Sequence, residues 1–355
     1  MTRRKRFVFA LIAVSVPFVL IASALAAIDV YLHQRFARTG GFNVWGYRGP
    51  IAPRKALSEY RVVMVGGSTV FGYGVTWDEA IPRLLERDLL ARSPDRFSVV
   101  NLGYNNEGAY SFAFTLRDYQ YLKYDLAILY EGYNDMMGDA RNPNLSVFRH
   151  DSPVFRLTGY LPIFPIVFRE KAAVMLTGSA ASMYPDGHAE RTVFRPRLGA
   201  RASAGILNAT ADIGESLGRQ LDKVTAEAPR VIEHADRTGC KQPWREYCRS
   251  VERAVQISLD INQQVLVVTQ PHLPRPDLRA RHVDQQRELA QMVARRFASD
   301  PRVGYVNLGS ALALSDPALT FDGMHLNQAG NQMVADALVD PVLQMAAAHT
   351  SARAR

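Results

Sequence analysis

Four short segments of the chain carry side chains able to act on a carbonyl centre. Ser68 stands in Gly66-Gly67-Ser68-Thr69, directly after the apolar run Arg61–Val65. A serine hydroxyl becomes an effective nucleophile when a neighbouring base takes its proton, and the glycines let the backbone turn sharply there. Taken alone, the same pattern fits a phosphate-binding loop or a plain turn. Asp322-Gly323-Met324-His325 offers an imidazole and a carboxylate from one loop. That spacing lets the carboxylate orient the ring and stabilise its protonated form, where a lone histidine would more simply be structural. Asn134, in Gly132-Tyr133-Asn134-Asp135, can donate a side-chain amide hydrogen bond to an oxyanion, or it can make an Asx turn. Between these lie Asn101-Leu102-Gly103 and Asn105-Asn106-Glu107-Gly108-Ala109-Tyr110-Ser111. They offer a backbone N–H at Gly103 or Gly108, or ordinary loop and capping chemistry.

Chemistry of this kind needs elements that hold distant loops together. Residues 61–65 form a short β-branched run, as expected for a strand buried on both faces of a parallel sheet. The periodicity predicts a helix over 79–91, with Ile81, Leu84, Leu85 and Leu89 on one face. A strand at 97–102, a helix at 111–122 and a strand at 125–130 follow. The pattern resumes with a strand at 265–269, a helix at 288–298, a strand at 303–308 and a last helix at 328–345. Strand and helix in alternation predict an α/β fold, a three-layer α/β/α flavodoxin-like parallel sheet of about five strands. Ligands of such sheets bind at the carboxyl ends of the strands, and Ser68, Gly103, Asn134 and His272 each follow a predicted strand. The roughly 130 residues between the third and fourth strands exceed an ordinary crossover. They are read as an insertion over about 140–260, helical in its second half, that could cap the site.

Together the four segments resemble the motifs of the SGNH/GDSL hydrolase family. Ser68 matches the serine of the first block, Asn134 the asparagine of the Gly-x-Asn-Asp block, and Asp322 and His325 the Asp-x-x-His block. The glycine block falls at Gly108, with Gly103 as the alternative. The resemblance covers residues 61–135 and 262–345. It implies a serine hydrolase that cleaves an acyl or acetyl ester through an acyl-enzyme on Ser68. His325 would be the base, Asp322 its orienter, and Gly108 and Asn134 would form the oxyanion hole, with no metal or organic cofactor. The first block departs from the common Gly-Asp-Ser: here it reads Gly-Gly-Ser, a change that bears on loop geometry rather than on the triad acid. The resemblance leaves two alternatives open. One is an extracytoplasmic O-acyltransferase or deacetylase acting on a cell-envelope glycan. The other is a catalytically inactive glycan-binding module. An α/β-hydrolase elbow is excluded because Val70 occupies its last glycine position, and a P-loop because no Gly-Lys-Ser/Thr follows the first strand.

The 355-residue chain has a formal charge of +8, four of it from Arg3, Arg4, Lys5 and Arg6. This basic tip precedes Phe7–Ile28, 22 residues without a charge. As a helix that run rises about 33 Å, enough for a hydrocarbon core of about 30 Å. The flank favours a cytoplasmic N-terminus, so the expectation is a single-pass inner-membrane anchor over 1–30 with the catalytic domain in the periplasm. The charge placement argues against a nucleic-acid partner. Ala24-Leu25-Ala26 leaves a cleaved signal peptide as the competing reading. A linker is expected over 31–60, the hydrolase domain over 61–345 and a disordered tail over 346–355. Cys240 and Cys248 could form a short-loop disulfide in an exported protein. Tyr104, Tyr110 and Tyr133 are candidates for shaping the site, and Trp45 and Tyr47 for packing the linker on the domain.

Overall fold

The computed structural model describes residues 3–37, 39, 41–136, 144–177 and 237–353. The chain divides into two units, one made of 1–37 with 152–228 and the other of 38–151 with 229–355.

In the first unit, helix α1 spans Arg3–Phe36. It is long and apolar enough to cross a membrane, and its most apolar window is wholly exposed. Its buried residues, Asp29, Leu32 and His33, lie beyond the uncharged run.

The second unit is built on one sheet. Its strands are β1 (Glu59–Gly66), β2 (Arg96–Asn101), β3 (Leu126–Tyr130), β4 (Gln264–Thr269) and β5 (Val303–Asn307), all parallel in the order β2-β1-β3-β4-β5. Val62 pairs with Val99 on one side and Leu126 on the other, and Ile128 pairs with Leu266. β3 and β4 are buried throughout, while the edge strands β2 and β5 are only partly covered. That difference matches the apolar runs of the central strands.

The first helices of this unit in chain order are α2 (Ser68–Phe71), α3 (Ile81–Arg92), α4 (Phe112–Asp118) and α5 (Tyr133–Met136). Two helices of the first unit come next, α6 (Pro153–Thr158) and α7 (Phe164–Thr177); α7 packs on α1. The second unit then resumes with α8 (Arg245–Asp260), α9 (Pro276–Phe297) and α10 (Gln328–Arg353). Within it α3 packs on α10, whereas α4 packs on α8 and α8 on α9. With right-handed crossovers, β1-α3-β2 winds one way and β3-α8-β4-α9-β5 the other, giving the expected three-layer sandwich. Ile81, Leu84, Leu85 and Leu89 are the buried face of α3.

Three expected boundaries move. The sequence puts residues 245–260 in the insertion, but α8 is the crossover into β4, and it buries Val251, Ala254, Val255 and Ser258. α9 begins twelve residues before position 288, because its first turns are buried through His282, Gln285 and Gln286 rather than apolar residues. α10 continues to Arg353 where a disordered tail was expected, and Ala346 within that stretch is buried. Cys240 and Cys248 are joined by a disulfide. Residues 178–236 of the expected insertion lie outside the described residues.

Candidate active site

Strand order reverses between β1 and β3, and at such a switch point the loops leaving the strands open a crevice. Ser68 leaves β1 and Asn134 leaves β3 at this place. Ser68 is buried in the first turn of α2, which ends at Gly72 in the left-handed conformation, φ 83°. The α2 turn is fixed through its carbonyls. The buried Arg48 guanidinium donates to the carbonyls of Phe71, Gly72 (2.6 Å) and Val75, and the Asn101 amide donates to Val70 O at 2.8 Å.

The Ser68 hydroxyl is 2.9 Å from His325 Nε2, and His325 Nδ1 is 2.7 Å from Asp322 Oδ2. The other Asp322 oxygen, Oδ1, accepts the backbone N–H of His325 at 2.8 Å and of Met324 at 3.0 Å. With Nδ1–H donated to the carboxylate, Nε2 keeps its lone pair for the serine O–H. Burial works to raise the Asp322 carboxyl. The hydrogen bond and charge of His325, with the two N–H donors, outweigh it and hold the group well below the usual carboxylate range. Asn327 ends the loop by accepting from Gly330 N at 3.1 Å, an N-cap for α10.

The β3 loop is stitched to the β2 loop on both sides of Gly108. Asn134 Nδ2 donates to Glu107 O at 2.9 Å, and Ala109 N donates to the Asp135 carboxylate at 3.0 Å. One amide hydrogen of Asn134 is thereby used, which orients the second. Among the described residues neither Ser68 N–H nor Gly108 N–H is taken by an acceptor. The N–H of Gly103, the alternative position, donates to Asn101 Oδ1 at 3.0 Å, and a Cβ on Gly103 would lie 2.4 Å from Phe71 N.

The remaining aromatic and histidine candidates are packed or hydrogen-bonded among their own neighbours. His272 binds Gln286 Oε1 at 3.1 Å and faces the ring of His282. Burial pushes its imidazole down. Tyr104 stacks between Phe42 and Phe148, Tyr110 packs on Phe114, and the Tyr133 hydroxyl donates to Pro271 O. Tyr47 is buried against Tyr119, and Trp45 O accepts from the Tyr119 hydroxyl. Two supporting residues went unseen in the sequence. Gln270 accepts from Tyr133 N at 2.9 Å and donates to Thr69 Oγ1 at 2.8 Å. The Glu131 carboxylate is buried at the end of β3.

The arrangement can take a proton from a serine hydroxyl and present N–H groups to a developing oxyanion. A model of the GDSL-like lipase/acylhydrolase family matches residues 64–333. No curated protein matches the sequence. Among solved structures, similar ones include a member of the lipolytic G-D-S-L family from Veillonella parvula (9% identity, 79% of this chain and 97% of that one, TM-score 0.42). Two others are the lipase/acylhydrolase from Enterococcus faecalis (14%, 80% and 95%, 0.42) and a carbohydrate acetylesterase from Sinorhizobium meliloti (12%, 81% and 98%, 0.41).

Proposed function

The chain belongs to the GDSL-like lipase/acylhydrolase family, ester-hydrolysing enzymes, and from that membership we propose that it cleaves carboxylic esters through an acyl-enzyme on Ser68. His325 takes the hydroxyl proton as the serine oxygen attacks the ester carbonyl, and Asp322 holds the imidazole in the tautomer with a free Nε2. The tetrahedral oxyanion is met by the N–H groups of Ser68 and Gly108 and by the free amide hydrogen of Asn134. The His325 proton then passes to the leaving alcohol. Water, deprotonated by the same imidazole, releases the acyl group.

The observation that carries this reading is the unbroken relay from Asp322 through His325 to Ser68, at 2.7 and 2.9 Å. The decisive experiment is covalent labelling with a fluorophosphonate alongside hydrolysis of a short acyl ester. The wild-type chain is expected to label at Ser68 and turn over, and Ser68→Ala to do neither. Undiminished hydrolysis by that variant refutes the assignment.

We further propose that α1 anchors the enzyme in the inner membrane, with Arg3–Arg6 in the cytoplasm and the catalytic unit in the periplasm. A 34-residue helix whose uncharged stretch is exposed and follows four cations supports this reading.

A further inference from the structure

We propose that Glu131 is a positioning residue for the ester-cleaving centre, its carboxylate clamping the backbone in front of Ser68 to the backbone that carries Asn134. The inference rests on the reading of Ser68 and Asn134 given above and adds a residue which that mechanism does not use. Glu131 follows β3, and its side chain turns inward, buried, between two loops. Oε2 accepts the N–H of Gly67 at 2.6 Å, whereas Oε1 accepts the N–H of Gly132 at 2.9 Å and of Asn134 at 3.1 Å. Each oxygen therefore serves a different loop, and the carboxylate is the bridge between them.

Gly67 is the counterpart of this clamp. A Cβ there would stand 2.4 Å from Glu131 Oε2, 2.3 Å from Asn134 Nδ2 and 2.9 Å from Glu107 O. Two loops thus close on one residue without a side chain, and the volume a residue-67 side chain would need is already filled by the Glu131 carboxylate and the Asn134 amide. The Gly-Gly-Ser block and the buried glutamate are two halves of one arrangement, set 64 positions apart.

The clamp requires acceptors on both oxygens, which makes the isosteric amide a sharp probe. In Glu131→Gln one oxygen becomes an NH2 group. Turned one way it opposes Gly67 N–H; turned the other it opposes the N–H groups of Gly132 and Asn134. Either way a donor faces a donor, and one loop is released while volume is conserved. Neither loop loses a group proposed to touch substrate.

The test compares steady-state hydrolysis of a short acyl ester by the full-length wild type and by Glu131→Gln. The expected result is at least a tenfold fall in kcat with KM within twofold. A kcat within threefold of wild type, or a fall matched by a rise in KM, overturns the proposal. Should the variant fail to fold, wild-type enzyme labelled with 15N-glycine decides. The amide protons of Gly67 and Gly132 are expected strongly downfield and to share one pH titration. Tyr130 at the end of β3, Tyr133 and Asp135 of the loop after it and Tyr247 of α8 are the other titratable groups facing Glu131. Ordinary, pH-independent shifts for both glycines overturn the proposal. Wild-type labelling at Ser68 separates the two levels. If the wild type neither labels nor hydrolyses, the ester-cleaving reading fails. If it does both and Glu131→Gln equals it, only the role of Glu131 fails.

Discussion

Replacing Asp322 by asparagine tests the relay at the point where its geometry gives a magnitude. Asp322 uses both oxygens, Oδ2 toward His325 Nδ1 and Oδ1 toward the N–H groups of His325 and Met324. An asparagine can keep Oδ1 on the two N–H donors and turn its NH2 toward Nδ1. The imidazole then carries its proton on Nε2 and faces Ser68 as a donor, unable to take the hydroxyl proton. A wrong tautomer of this kind costs about 10⁴ in kcat, or roughly 5.5 kcal/mol. The flipped amide restores the tautomer but opposes two N–H donors. At about 1–3 kcal/mol for each unsatisfied group, the flipped form is populated at too low a level to rescue more than about a tenfold to hundredfold share of the loss. Initial rates with nitrophenyl acetate should therefore show Asp322→Asn slower by about 10²–10⁴ in kcat. Fluorophosphonate labelling of Ser68 should slow in parallel. A kcat within about 30-fold of wild type would mean that Asp322 does not set the His325 tautomer, and the reasoning from the 2.7 Å contact would be wrong.

Two other outcomes follow from the same geometry. Asn134→Ala removes one oxyanion donor and should lower kcat by about 10²–10³ with little change in KM; a loss under tenfold would take Asn134 out of the hole. If α1 is an uncleaved anchor, the full-length chain should resist carbonate extraction and leave membranes only with detergent. Recovery of a soluble form beginning just after Ala26 would establish a cleaved signal instead.

The central strands were legible because burial on both faces writes itself as an unbroken apolar run, as in Val62–Val65 and Val265–Val268. The same rule explains where reading stopped. The first turns of α9 hide their buried face behind His282, Gln285 and Gln286: Gln285 donates to Gly132 O, and Gln286 pairs with Gln270 O and with the His282 ring. A face buried through polar residues leaves no hydrophobic period. α8 has a clear apolar face, but a face does not say which sheet it covers, so the sequence leaves its place as the β3-to-β4 crossover open. At the site, the Asp-x-x-His spacing and the strand-Gly-Gly-Ser junction nominated side chains that stand in contact. Glu131 could not be nominated in this way. A glutamate at a strand end is ordinarily solvated, and its burial depends on a missing side chain at Gly67, far away in sequence.

The two carboxylates of the site are pushed in opposite directions, and the sign of each bears on what Glu131 is for. Burial raises both. At Asp322 the His325 partner wins and the group lies low. Its contribution to stability is present above the ordinary carboxylate range and is lost only as pH falls through the lowered value. At Glu131 burial outweighs the N–H donors of Gly132, Asn134, Gly67 and Tyr133, and the group is pushed up from 4.5 to about 7. The folded chain then holds a proton that the unfolded chain has released. The associated stability is full below about 4.5 and is lost as pH rises through about 7, a change of about 3 kcal/mol. The ionised state, in which both oxygens accept, is thus the less stable one. The state in which both oxygens accept is therefore the one populated above about pH 7. Glu131→Gln should therefore flatten the decline in unfolding free energy between about pH 4.5 and 7 even as it slows turnover. A decline that persists in that variant would move the proton to another group, such as Asp135, whose carboxylate is coupled to Glu131.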